Sequence, residues 1–348
     1  MKKDLETLYH QVNDAVLSLD PEKIWPGFEL LKFALYDNDY CFFDGQFIEK
    51  TDDFCANTSI SFRGEQIAIW MVAEELDIPV LTSKLVHEMF HGFQTLQGWN
   101  CWPNETEALL RYEYNTENLY LKLHENKLLL SLLDHFDETS YRELMSCRKL
   151  RSEKYPFEFS YESKVEEIEG TANYVEWQVL KQLDGKAAEA MTERMISVMT
   201  EPEFLFPIRI ACYYTGALMI NALRGAGAYS FEPGERPVIM EVLNDIVLSK
   251  ADFDINCPDH RKVSETIAAY NERSESIVRS ALEKNEVVLE GPLELVSVNI
   301  YNARCYKEYL TSTHFLMYRD GEGNKMIRGN FVIHMKDEKT IGTVYRCE

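Results

Sequence analysis

Basic residues are scarce in this chain: 36 Lys and Arg stand against 58 Asp and Glu, a formal net charge of −22 over 348 residues. A surface of that sign repels phosphates and anionic lipids, so neither nucleic acid nor membrane is expected as a partner. The longest apolar stretch, residues 210–223, is interrupted by Tyr, Thr and Asn and falls short of the roughly 20 apolar residues a membrane span needs. No basic, apolar, small-residue signal stands at the start, so an unsecreted, cytoplasmic protein is expected. The eight cysteines, at 41, 55, 101, 147, 212, 257, 305 and 347, form no Cys-x-x-Cys pair and no short disulfide framework, so reduced thiols are the natural reading. Repeats, low-complexity runs and flexible linkers are also missing.

What is present is His87-Glu88-Met89-Phe90-His91. Two imidazoles four residues apart project from one side of an α-helix and can grip a single metal ion. Glu88 between them is placed to act as general base on an attacking water, the arrangement the His-Glu-x-x-His signature serves. The helix this requires is supported locally. Thr82 or Ser83 can cap it, and Leu85, Val86, Met89, Phe90 and Phe93 give an apolar face beside the line Lys84, His87, His91, Gln94.

A catalytic zinc takes three protein ligands and keeps one position open, so a third donor must come from elsewhere. Glu169 is the best candidate, in a helix predicted over residues 160–183. Gly170 and Ala172 reduce the bulk beside it, which would let this helix approach the His87/His91 helix. A glycine in a helix interior costs about 1 kcal/mol against alanine and so asks for a packing reason. Asn173, one turn on, can orient a ligand. Glu166, Glu107 and Glu113 are the fallback carboxylates.

His-Glu-x-x-His followed on a later helix by Glu169-Gly170-Thr171-Ala172-Asn173-Tyr174 resembles the gluzincin group of zinc metallopeptidases, in particular a prokaryotic branch with a Glu-Gly-x-Ala third-ligand helix. The resemblance covers about residues 55–225. It implies zinc held by His87, His91 and Glu169, with Glu88 as general base and acid. The chain departs from the pattern at Asn173, where many gluzincins carry an acidic residue that contacts a ligand histidine.

Residues 57–70 read as a hairpin with Gly64 near the turn and 66–71 as a strand. Similar peptidases have an edge strand before the zinc helix, on which an extended substrate pairs by β-augmentation, and Ala68 would suit that by its smallness. Ile67, Ile69 and Trp70 are equally suited to a core. Residues 207–219 read as a buried helix with Arg209 and Tyr213 on one face. By analogy with such peptidases, Tyr213 or Tyr214, with Arg209, would stabilise the oxyanion formed when water attacks a carbonyl.

The organisation that follows is α+β and zincin-like: a domain over residues 1–285 and a small β-rich C-terminal module over 286–348. Within the first, residues 1–36 hold two amphipathic helices, the second started by Asp20 and Pro21. Residues 40–71 are a mixed β segment with turns at Asp44-Gly45 and Arg63-Gly64. Residues 82–284 form a mostly helical metal-binding core broken near Pro103, Pro156, Pro202 and residues 231–237. In the tail, residues 315–318 and 331–335 flank a loop at 320–324. The function expected is a Zn2+-dependent hydrolase, a metallopeptidase acting on a peptide or protein substrate. The alternatives are a non-catalytic binding or regulatory protein keeping a structural zinc site, or a zinc-free scaffold.

Overall fold

Helix α1 (Lys2–Leu17) opens the chain, and the second N-terminal helix, α2 (Pro21–Ile24), lasts one turn. It is shorter than the sequence pattern suggests because Pro26 forces extended backbone on Trp25 and Gly27 follows with φ 73°. The computed structural model describes residues 2–73, 76–227, 236, 243 and 257–347. Of the expected break at 231–237, only Arg236 lies among them. No helix among the described residues is long and apolar enough to cross a membrane. The architecture is mixed α+β with a β-rich sheet at the C-terminus.

Strand β1 (Phe33–Tyr36) lies at the centre of a five-stranded sheet with β2 (Cys41–Phe43), β3 (Gln46–Ile48), β4 (Thr58–Phe62) and β5 (Glu65–Met71), in the order β3-β2-β1-β5-β4. Asp44-Gly45 and Arg63-Gly64 close the β2–β3 and β4–β5 hairpins, all four residues at positive φ, the twist that such two-residue turns between antiparallel strands favour. Strand β5 is parallel to β1 on one side and antiparallel to β4 on the other. On this side of the sheet the edge strand is therefore β4, not residues 66–71. Ala68, buried between Phe33 and Ser59, is a core residue.

Helix α3 (Ile78–Leu96) starts a turn earlier than Thr82, because Pro79 fits the first turn, where its missing N–H has no partner to lose. It lies on the sheet at Gly92, where a β-carbon would sit 2.4 Å from Leu31 Cδ1 and 2.7 Å from Ser59 Oγ. Helices α4 (Glu105–Arg111), α5 (Thr116–Asp134) and α6 (Glu138–Lys154) follow, each started by an Asn or Asp whose side chain accepts a first-turn N–H. Next, α7 (Pro156–Val165) runs through a π-helical turn at Glu166–Gly170 into α8 (Thr171–Leu183). Then come α9 (Gly185–Met199), a 3-10 turn at Pro202–Leu205, and α10 (Ile208–Gly225).

Behind the π turn lies a sealed charge cluster: Lys122 and Glu125 from α5, Arg148 and Arg151 from α6, Glu162 and Glu166. Glu166 receives Lys122 Nζ at 2.6 Å and Arg148 Nη2 at 2.7 Å, while Arg151 bridges Glu125 at 3.1 Å and Glu162 at 2.5 Å. Three cations face three carboxylates, all essentially inaccessible to water. Charges removed from water persist only when paired in this way. Their pairing ties α5, α6 and α7 to the turn that carries Glu169.

Helix α11 (Pro258–Lys284) ends at Asn285 in the left-handed region, φ 50° and ψ 37°. The antiparallel sheet beyond it contains β6 (Val287–Val298), β7 (Cys305–Tyr306), β8 (Tyr309–Ser312), β9 (Phe315–Asp320), β10 (Gly323–Arg328), β11 (Asn330–Met335) and β12 (Thr340–Cys347), in the order β10-β9-β6-β12-β11-β8-β7. The expected loop at 320–324 is a tight turn from β9 into β10. The sheet has its own core around Leu310, Leu316, Phe331 and Ile341, against which Leu109 and Leu110 of α4 pack.

Candidate metal centre

His87 and His91 stand one turn apart on α3, their rings nearly perpendicular with centroids 4.8 Å apart and their Nε2 atoms 3.1 Å apart. The π turn brings Glu169 Oε2 to 3.2 Å from His91 Nε2 and 3.5 Å from His87 Nε2. A tetrahedral ion with bonds of about 2.0–2.1 Å needs donor atoms roughly 3.3–3.4 Å apart, and the three edges straddle that length. Two ring nitrogens this close to each other and to a carboxylate need a shared proton or a cation between them. The buried group His87, His91, Glu169 can hold a metal ion.

The His91 ring is hydrogen-bonded from behind, and the His87 ring faces a carboxylate. Gln94 Nε2 donates to Ile168 O at 2.8 Å and Thr171 Oγ1 at 3.0 Å, so its Oε1 is the acceptor for His91 Nδ1, 2.8 Å away. That assigns a proton to His91 Nδ1 and leaves Nε2 as the ring atom that faces Glu169. Glu176 Oε2 is 3.3 Å from His87 Nδ1 without hydrogen-bond alignment, a charge contact rather than a formed bond. Lys84 Nζ holds the other Glu176 oxygen at 3.4 Å. The acidic contact thus comes from residue 176, two turns beyond Glu169, and not from position 173. Asn173 does not orient a ligand; it donates to Tyr213 O at 3.1 Å, joining α8 to α10.

The reason for Gly170 also differs from the expected one. A β-carbon there would sit 2.5 Å from Gly216 Cα, so Gly170 permits the crossing with α10 rather than with α3. Across α10, Arg209 Nη2 donates to Glu169 Oε1 at 2.6 Å and its Nη1 pairs with Glu105 Oε1. Tyr161 donates to the other Glu105 oxygen at 2.8 Å. Each oxygen of Glu169 therefore has one task, Oε2 toward the histidines and Oε1 toward Arg209. Committed to two carboxylates, Arg209 is not available to an oxyanion.

Burial alone would lower His87, but Glu169, Glu176 and the charge of Glu88 raise it to about 10. Burial would raise Glu169, yet His91, His87 and Arg209 hold it well below the usual carboxylate range. Glu88 is raised by burial against the pull of both histidines. Negative charge gathered around two imidazoles is a setting that favours a cation.

The group opens on a cleft of about 860 Å³ lined by Glu88, Thr58 and Ser59 of β4, Trp102, Tyr213, Tyr214 and Tyr301 among others. Glu88 faces it without a hydrogen-bond partner among the described residues. Tyr213 stacks on His87, centroids 6.2 Å apart and planes 12° apart, with its hydroxyl 3.4 Å from Arg209 Nη2 and 3.2 Å from Tyr301 Oη. Tyr214 also lines the cleft, its ring packed on Phe204. The fallback carboxylates lie outside the group: Glu166 is in the buried cluster, Glu107 pairs with Arg111, and Glu113 is on an exposed stretch beyond α4.

Glu176, Glu105 and Tyr301 carry no signal of their own in the sequence, and Gln94 stands there only as a member of the polar line with His87 and His91. The one available signal was helical spacing, which puts Gln94 a turn from His91 and Glu176 two turns from Glu169. No protein family matches the chain, and neither does a curated protein or a solved structure.

Proposed function

We propose that the protein is a zinc-dependent peptidase with a zincin-like core, of the gluzincin type that its two motifs resemble. The observation that carries this reading is the convergence of His87 Nε2, His91 Nε2 and Glu169 Oε2, with edges of 3.1, 3.2 and 3.5 Å, on a cleft that Glu88 also faces. Two nitrogens and one carboxylate oxygen form the donor set of a catalytic zinc with a position left open, whereas a purely structural site has no use for Glu88. When bound, zinc would supply Lewis acidity toward the carbonyl and the attacking water.

Glu88 takes the proton from that water and hands it to the leaving amine. Its side chain leaves α3 about 100° round from His87, so it stands beside the ligand group without joining it. Tyr213, held by Asn173 through its backbone and next to Arg209, donates its hydroxyl to the oxygen that becomes negative as the carbonyl is attacked. Thr58 and Ser59 at the start of the edge strand β4 line the cleft, which suits an extended peptide pairing there through its main chain.

The test is Glu88→Gln in zinc-loaded protein, assayed on a peptide library beside wild type and a chelated sample. The variant keeps its fold and zinc, and cleavage falls by at least about 100-fold, the lower end of what a general base contributes. A wild type that binds peptides and cleaves none would make this a binding protein. A variant that cleaves like wild type would remove Glu88 from the mechanism.

A further inference from the structure

Five rings run in sequence across the metal cleft. Trp102 lies 6.1 Å from His91, His91 is 4.8 Å from His87, His87 is 6.2 Å from Tyr213, and Tyr213 Oη is 3.2 Å from Tyr301 Oη. The inner three are buried or half-buried, while the outer two are among the few large apolar side chains left in water, Trp102 at 45% and Tyr301 at 48% exposure. Exposed aromatics at both ends of a line of buried site residues mark a contact surface better than exposed aromatics scattered singly. Trp102 follows α3, the helix of the histidines. Tyr301 comes from the C-terminal sheet, more than 200 residues from the histidine motif, and nothing in the proposed chemistry yet uses it.

The loop presenting Tyr301 is held firmly. Asn299 O accepts the backbone N–H groups of Asn302 and Ala303 at 3.2 and 3.0 Å. The Asn299 side chain accepts Tyr301 N at 3.3 Å and donates to Thr313 Oγ1 at 3.0 Å. Ala303 is buried, and the Arg304 guanidinium sits 4.2 Å over the Tyr270 ring of α11. A half-exposed phenol on a tied loop loses little conformational freedom when a ligand covers it, which is what makes Tyr an efficient contact residue. Among the described residues its hydroxyl has Tyr213 as its one hydrogen-bond partner, and a phenol can both donate and accept, so a ligand carbonyl or amide can replace that partner.

We infer that the C-terminal β module is part of the binding site and that Tyr301 is a substrate-contacting residue of the metal cleft, its ring packing on the bound peptide and its hydroxyl exchanging Tyr213 for the peptide backbone. The inference rests on the peptidase reading. It gives the module a purpose that its own fold does not require, because Tyr301 lies outside the module's core.

The experiment uses full-length zinc-loaded protein and two probes that bind zinc through the same hydroxamate group: acetohydroxamate, too small to leave the metal, and a tripeptide hydroxamate long enough to cross the cleft. Tyr301→Ala weakens the tripeptide probe on the order of 10-fold and Tyr301→Phe about 3-fold, the size of one net hydrogen bond. Zinc content and acetohydroxamate affinity stay at wild-type values. Equal affinity of wild type and Tyr301→Ala for the tripeptide probe overturns the assignment of Tyr301 alone. Equal weakening toward both probes also overturns it, because the damage then lies at the metal. A zinc-loaded wild type that binds neither probe overturns the peptidase reading, and the inference with it.

Discussion

Gly170 and Gly216 touch backbone to backbone: a β-carbon on Gly216 would lie 2.6 Å from Gly170 Cα and 2.6 Å from Glu166 O. No flexible side chain stands in the gap to give way. The residue after the candidate ligand thus sets how deeply α10 settles against the π turn, and with it where Arg209 meets Glu169. Gly216→Ala is expected to destabilise the protein by about 1–3 kcal/mol, the usual cost of overpacking, and to weaken metal binding as well. Thermal melts with and without added zinc separate the two effects. An unchanged melting point would mean the helices can slide apart freely.

The parts of the site written in one stretch of chain were legible in the sequence. The pair His87 and His91 follows from helical geometry alone, and Glu169 was marked by the glycine beside it. The groups that orient these residues were not, because they depend on which helices cross. Glu176 reaches His87 only because α8 lies along α3, and Gly170 faces α10 rather than α3, a distinction no local pattern carries. The hairpin at 58–71 was readable from its Arg63-Gly64 turn. That β5 is its inner strand was not, since it pairs in parallel with β1, Phe33 beside Ala68, at the end of a segment whose pattern predicts helix. The π turn and the buried cluster gather residues from three helices, and in the sequence their charges look like solvated faces.

Glu176→Gln tests the orienting contact. The amide keeps the shape but loses the charge that faces His87 Nδ1 and Lys84. Zinc affinity is expected to fall about 10- to 100-fold, the usual cost of losing a partner of a ligand histidine, with the fold intact. Competition with a chromophoric chelator measures it. Unchanged affinity would show that the 3.3 Å contact does not act on the metal site.

Glu166→Gln should be among the most damaging single substitutions outside the cleft. It leaves Lys122 and Arg148 buried with one anion fewer, and breaking a buried pair costs about 3–5 kcal/mol. The same cluster contributes to the acid response. For both carboxyls burial acts upward, but Arg148 and Lys122 lower Glu166, and Arg151 and Lys122 lower Glu162. Groups whose folded values lie below their unfolded ones stabilise the protein above the unfolded value, about 4.3 for Glu, and lose that contribution as pH falls toward the folded value. Urea unfolding of wild type should therefore hold its midpoint between pH 7 and 5 and drop steeply below about 4, whereas Glu166→Gln should start lower and drop less. Parallel curves would take Glu166 out of the acid transition.

Metal binding itself should couple to stability, because the three donors come from two separate elements, α3 and the π turn. An ion that binds only when these are brought together stabilises the folded state by RT ln(1 + [L]/Kd), about 2.7 kcal/mol at a free concentration 100 times Kd. Elemental analysis of protein from a metal-replete source is expected to give about one zinc per chain. A chelator should then lower the melting temperature by several degrees, reversibly on adding zinc. His91→Ala should contain no zinc and show no response to chelator, since one nitrogen and one carboxylate cannot hold the ion alone. His87→Ala should behave the same way, while Glu88→Gln should keep both the metal and its effect on melting. Full zinc content in a protein lacking both histidines would place the metal elsewhere and leave the triangle of His87, His91 and Glu169 to be held by shared protons.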